Sequence, residues 1–167
     1  MNRSEIIKII EKADKEEELN LDFRGKGITE LPEEISRLHN LQELNLCFNQ
    51  IQKLPKENFY LYNLHSLYFS DNQLKEIPEF IFNLSELRIL DLSHNKLQEI
   101  PSFISKLTKL RILNLSHNQL NDIPKEIGKL LDLYEFDIIG NPLTKLPKNI
   151  FEQGDQAILS WIKEKDL

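Results

Sequence analysis

The sequence holds one cysteine, one methionine, one tryptophan and five glycines in 167 residues, and no long uninterrupted apolar run. A single thiol, Cys47, makes an internal disulfide impossible and agrees with a reducing compartment, so the expected location is the cytosol. The N-terminus reads Met-Asn-Arg-Ser-Glu-Ile-Ile-Lys, where charge interrupts the apolar residues too often for a secretory core or a membrane span. Positive charge is also short. The formal net charge is −6, against the basic patch that nucleic-acid binding requires to release counterions from the phosphate backbone. Neither nucleic acid nor a membrane is therefore an expected partner. A hydrophobic content of 40% is that of one folded domain, not of a disordered chain.

Leucine, isoleucine and asparagine are plentiful, and their placement is periodic. Pro32, Pro55, Pro78, Pro101, Pro124 and Pro147 stand 23 residues apart without a slip, and Pro142 is the only proline outside the series. Asn49, Asn72, Asn95, Asn118 and Asn141 keep the same interval, as do Leu44, Leu67, Leu90, Leu113 and Phe136. Counting each unit from Leu41, Leu64, Leu87, Leu110 and Leu133, the pattern is Leu-x-x-Leu-x-Leu-x-x-Asn-x-Leu-x-x-Leu/Ile-Pro-x-x-Ile-x-x-Leu. This period lies in the leucine-rich range.

Each part of the unit has its own physical task. The Leu-x-Leu stretch alternates as a strand does, sending Leu90 and Leu92 to one face and Ile89 and Asp91 to the other. Such strands are predicted to stack as a parallel sheet with ~4.8 Å spacing, so that each unit hides its leucines against the next. The asparagine ends the strand, where a short amide can bond the backbone of the turn and of the neighbouring unit. The proline suits the first position of a helical turn, and Glu33 and Glu34 after Pro32 favour the positive end of that turn. Short helical or 3₁₀ turns are expected on the convex side, with Ile35, Ile81, Ile104, Ile127 and Ile150 pointing inward. In the second unit that place is Asn58, so Phe59 or Leu61 is expected to fill the gap.

The first unit is a worn copy, with Glu18 and Lys26 where leucine and asparagine belong. Before it, Ile6, Ile9, Ile10 and Ala13 recur at helical spacing after a candidate N-cap, Ser4, and predict an amphipathic helix covering the first open core face. At the other end Asp155 is the candidate cap of a helix carrying Ile158, Leu159, Trp161 and Ile162. The expected organisation is one domain: an N-terminal helical cap over 1–17, six repeats over 18–155, and a C-terminal helical cap over 156–167.

The repeat resembles the 23-residue leucine-rich repeat class with a Leu-Pro-x-x-Ile convex segment, known from bacterial repeat proteins and from Ras-binding scaffolds. The stretch Ile-Ile-Glu-Lys-Ala-Asp at 9–14, Gly-Asn-Pro-Leu at 140–143 and Glu-Gln-Gly-Asp-Gln-Ala-Ile-Leu at 152–159 further resemble the repeat region of bacterial Roco proteins. The resemblance implies an α/β fold: a right-handed solenoid arc of six repeats, a parallel sheet on its concave face and a helix at each end. It also implies protein–protein recognition. In Roco proteins a Ras-like GTPase domain follows, but no Gly-x-x-x-x-Gly-Lys-Ser/Thr loop occurs in these residues, so nucleotide hydrolysis does not carry over.

On such a sheet the exposed columns can be read from the repeat. One is Asp22, Asn45, Tyr68, Asp91, Asn114 and Asp137, and its neighbour is Asn20, Glu43, Ser66, Ile89, Ile112 and Glu135. After the second core residue come Arg24, Cys47, Ser70, Ser93, Ser116 and Ile139, then Gly25, Phe48, Asp71, His94, His117 and Gly140. Ile89 and Ile112 are apolar where the face should meet solvent, and Phe48 and Tyr68 belong to neighbouring strands. Phe48, Tyr68, Ile89 and Ile112 are therefore the candidate centre of a partner-binding surface, with Asn114 beside them and Glu43, Asp91, Glu135 and Asp137 as an acidic surround. That surround favours a basic protein or peptide segment. The alternative is a tolerant sheet with scattered surface hydrophobes.

Chemistry has weaker support. His94 and His117 hold equivalent positions and could approach at about the strand spacing of ~4.8 Å, but a metal would have only Asp71 nearby as a third ligand. A copied Ser-His-Asn turn explains them without a metal. Cys47 lies near acidic groups such as Glu43, which raise rather than lower a thiol pKa. Ser70, Ser93 and Ser116 lie near the histidines, yet a catalytic triad is one asymmetric site and not a motif copied twice. No enzyme and no cofactor is expected. The reading is a monomeric, non-enzymatic interaction module. Its competitors are a homo-oligomer pairing through the concave patch and a metal-dependent enzyme using His94 and His117.

Overall fold

A computed structural model describes residues 1–54 and 60–165. Six three-residue strands form one parallel sheet in chain order: β1 (Asn20–Asp22), β2 (Glu43–Asn45), β3 (Ser66–Tyr68), β4 (Ile89–Asp91), β5 (Ile112–Asn114) and β6 (Glu135–Asp137). The register is that of the repeat, since Leu21, Leu44, Leu67, Leu90, Leu113 and Phe136 are partners across successive strands. These residues are buried, as are Leu46, Phe69, Leu92, Leu115 and Ile138 two positions on. One repeat exposes its leucines alone and covers them only by stacking, so the core is a continuous column.

The asparagine ladder locks each unit to the one before it. Asn49, Asn72, Asn95, Asn118 and Asn141 are buried, and Oδ1 of each accepts the backbone N–H of Ile28, Ile51, Leu74, Leu97 or Leu120 at 2.9–3.0 Å. Their Nδ2 groups donate to the carbonyls of Phe23, Leu46, Phe69, Leu92 and Leu115 at 2.9–3.0 Å. Peptide groups that the turn leaves unpaired inside the solenoid are satisfied in this way.

On the convex side 3₁₀ turns run over Glu33–Arg37, Glu79–Asn83, Ser102–Lys106 and Lys125–Lys129. The prolines do not take the first helical position. Each stands one residue earlier as the N-cap, with ψ between 138° and 153°, and its carbonyl accepts the amide of the isoleucine three residues on. A fixed φ suits this corner, where the chain must leave extended geometry for the turn. Ile35, Ile81, Ile104 and Ile127 are fully buried, whereas Ile150 is half-buried. Leu61 is fully buried in the second unit, while the expectations for Asn58 and Phe59 lie outside the described residues.

Helix α1 (Arg3–Lys15) buries Ile6, Ile10 and Ala13 and leaves Ile9 at the surface. Its cap is Asn2 rather than Ser4: Asn2 Oδ1 accepts the Glu5 amide at 3.0 Å, and Glu5 returns a carboxylate oxygen to the Asn2 amide at 2.8 Å. This reciprocal pair satisfies two end groups at once and moves Ser4 into the first turn. At the far end the expected convex turn after Pro147 is a short α2 (Lys148–Phe151), and it precedes α3 (Asp155–Lys165). Asp155 is thus the first residue of its helix, not the residue before it, and Ile158, Leu159 and Ile162 are buried. No helix among the described residues is long and apolar enough to cross a membrane.

Candidate functional site: the concave sheet

Two ladders of exposed positions run across the sheet. Glu43, Ser66, Ile89, Ile112 and Glu135 are successive partners, and so are Asn45, Tyr68, Asp91, Asn114 and Asp137. Tyr68, Ile89 and Ile112 therefore lie together, each half-buried, with Tyr68 diagonal to Ile89 on adjoining strands. Phe48 lies outside the strands. It sits in the turn beyond β2 with φ +57°, half exposed, its amide donating to the Ser70 carbonyl at 3.0 Å. The Arg24 guanidinium carbon lies 4.9 Å from its ring centroid, within cation–π range. Phe48 shares this left-handed turn conformation with Asp71, His94 and His117, so the position bends the chain out of the strand instead of continuing its face.

The acidic column has a structural task that residue type alone did not reveal. Oδ1 of Asp22, Asn45, Asp91, Asn114 and Asp137 accepts the backbone N–H two residues later at 2.8–3.1 Å. These bonds close the turn after each strand. Asp91 and Asp137 thus face the concave side with one oxygen already engaged. The Ser93 and Ser116 hydroxyls donate to the same Oδ1 atoms of Asp91 and Asn114 at 2.7 Å, so these two serines are engaged by strand-end acceptors and not by a histidine. Burial pushes the Cys47 thiol pKa up, partly offset by hydrogen bonds from Ser70, and the charge that adds to the rise is that of Asp91 rather than Glu43.

His94 and His117 do meet. Their ring centroids are 4.3 Å apart with planes 16° from parallel. Lone pairs of near-parallel rings point side by side and do not converge on one ion. No group of three metal-ligating side chains occurs among the described residues.

One column escaped the sequence reading. The position immediately before each strand holds Leu19, Gln42, His65, Arg88, Arg111 and Tyr134, at the lip of the sheet. Arg88 and Arg111 are exposed, and neither joins an ion pair among the described residues. The signal was available, since the same period of 23 places these cations one residue before Ile89 and Ile112.

A sequence profile of the leucine-rich repeat matches residues 39–97 and 85–143. A leucine-rich repeat protein of Leptospira interrogans is 34% identical, with a TM-score of 0.75 over 92% of this chain and 37% of its own. An internalin of Listeria monocytogenes is 27% identical, with a TM-score of 0.60 over 67% of this chain and 32% of its own. The ectodomain of an Arabidopsis thaliana membrane receptor kinase, solved in complex with Casparian strip integrity factor 2, is 34% identical, with a TM-score of 0.69 over 77% of this chain and 16% of its own. The chain therefore spans well under half the length of these three structures. Among curated proteins none matches.

Proposed function

Because the chain belongs to the leucine-rich repeat family, whose fold is a non-enzymatic interaction module, we propose that it holds a protein or peptide segment on its concave sheet. The observation that carries this reading is the half-buried cluster of Tyr68, Ile89 and Ile112 on adjoining strands. Apolar groups that a solvated sheet has no use for lie where an interface core is placed, with charge on both sides. The receptor ectodomain solved in complex with Casparian strip integrity factor 2 lends support by likeness of fold. A reducing compartment is part of the proposal, supported by the free and buried Cys47. So is descent from bacterial repeat proteins of the Roco type, supported by the end motifs.

The partner expected from composition carries a basic segment, opposite Glu43, Asp91, Glu135 and Asp137. The structure adds a qualification, because Asp91 and Asp137 already serve backbone amides and an arginine column lies on the other side of the isoleucines. Partner capture with single variants tests the working face. Tyr68→Ala and Ile112→Ala are expected to lose a partner captured by the wild-type chain, while Lys125→Glu on a convex turn keeps it. The reverse pattern would show that the convex side does the binding. Sedimentation across a concentration series separates this reading from pairing of two copies through the same patch, since the module is expected to stay monomeric.

A further inference from the structure

The chain is acidic overall, yet one lip of its sheet is basic. His65, Arg88 and Arg111 occupy the same position in three successive repeats, and the backbone ladder ties them directly: the Arg88 amide donates to the His65 carbonyl and the Arg111 amide to the Arg88 carbonyl, each at 2.8 Å. Their anchors are thus one strand spacing apart, ~4.8 Å. Here the ion pairs of the described residues engage Arg3, Lys12, Lys109, Lys145 and Lys148, and leave Arg88 and Arg111 out. Glu86, the acid beside this lip, is bound by Lys109 at 2.6 and 2.7 Å. Its carboxyl pKa is held low first by that bond, against desolvation, and then by the charge of Lys109, with a smaller contribution from Arg88.

The arginines lie one residue before Ile89 and Ile112, so a two-repeat stretch of the sheet offers a cationic row beside an apolar row. Building on the concave-face reading above, and replacing its basic partner segment, we propose that this stretch binds an extended acidic segment of a partner protein, in which Asp or Glu alternates with apolar residues. An extended chain repeats its side chains on one edge every ~6.7 Å, twice the rise per residue. Two guanidinium groups fanning from anchors ~4.8 Å apart can meet two such carboxylates, and Arg does so through paired donors. The alternate side chains then fall toward Ile89 and Ile112. Apolar contact there excludes water and strengthens the charge pairs beside it. Glu135, next to Ile112 on β6, and Tyr134, next to Arg111, close the cationic row at one end, and Gln42 closes it at the other.

A random nine-residue peptide library, selected on the full chain, tests this. The expected result is enrichment of Asp or Glu alternating with Ile, Leu, Val or Phe. The selected peptides should bind Arg88→Glu/Arg111→Glu at least roughly tenfold more weakly, as loss and reversal of two charge-assisted contacts implies. These residues are exposed, so the variant should keep the wild-type circular dichroism and Tm. Enrichment of Lys or Arg, or apolar enrichment without acidic residues, would overturn the inference. If that binding still disappears in Ile89→Ser/Ile112→Ser, the concave-face reading survives the failure. Absence of any enrichment, or binding indifferent to both double variants, would overturn the two together.

Discussion

The imidazole of His117 lies where a side chain on Gly140 would have to go: a β-carbon at Gly140 would stand 2.5 Å from His117 Nδ1 and 2.9 Å from Cε1. Gly140 holds φ at +74° in the same turn position that Phe48, Asp71, His94 and His117 occupy with φ between 51° and 57°. The histidines stack on one another, and the stack ends on a glycine because the next repeat supplies no side chain at that position.

Gly140→Ala is therefore expected to lower stability through two effects. The left-handed backbone costs a non-glycine residue about 1 kcal/mol, and displacement of the His117 ring adds to it. Since His117 is exposed and can turn away, the second effect should be the smaller. Urea unfolding of Gly140→Ala, His117→Ala and the double variant separates them. A coupling near zero would mean that backbone strain alone makes the glycine necessary.

The asparagine ladder gives a larger effect. Asn118 accepts from the Leu97 amide at 3.0 Å and donates to the Leu92 and Leu115 carbonyls at 2.9 and 3.1 Å, all inside the protein. Asn118→Leu keeps the branching and the number of side-chain heavy atoms and leaves these backbone groups unpaired. A buried unsatisfied group costs about 1–3 kcal/mol, so a loss of roughly 3 kcal/mol or more is expected. Leu90→Ala, which opens a cavity in the column, should cost a comparable ~2–5 kcal/mol. If Asn118→Leu melts like the wild type, the ladder is ornamental and the leucine column alone carries the fold.

The period of 23 made strand register, core leucines and convex turns legible, because every copy of a position meets the same surroundings. Less was visible where a position serves the backbone. By residue type Asp91, Asn114 and Asp137 are polar groups free to meet a partner, but a short acceptor at the strand end bonds its own chain two residues on. The left-handed turn was hidden by its residues: Gly25 and Gly140 signal positive φ, whereas Phe48 and the histidines do not. Asn2 and Ser4 are both good caps by type, and only the geometry decides which side chain reaches an amide. Arg88 and Arg111 stood outside the strand columns and so outside the reading.

The last prediction concerns pH. Asp155 opens α3, and its carboxyl pKa is raised, first by partial burial, then by the charge of Asp137 and a hydrogen bond with it, against the pull of the Ile138 backbone N–H. A carboxyl whose pKa is higher in the folded state prefers its proton there. Its contribution to stability is therefore complete below the ordinary Asp pKa of about 3.9 and is lost as pH rises through the higher folded value. At pH 7 the ionised group works against the fold, although the helix N-terminus offsets part of this. Asp155→Asn removes the charge and keeps an acceptor for the Ile138 amide, so its Tm should exceed that of the wild type at pH 7. The gap should close on acidification through the carboxylate range, because the wild-type group then becomes neutral too. Asp137→Asn should reproduce the part of the gap that arises from repulsion between the two. Thermal melts of the three proteins at neutral and acid pH decide the matter: a Tm below wild type at pH 7 would mean that the helix end favours the charge by more than burial and Asp137 oppose it.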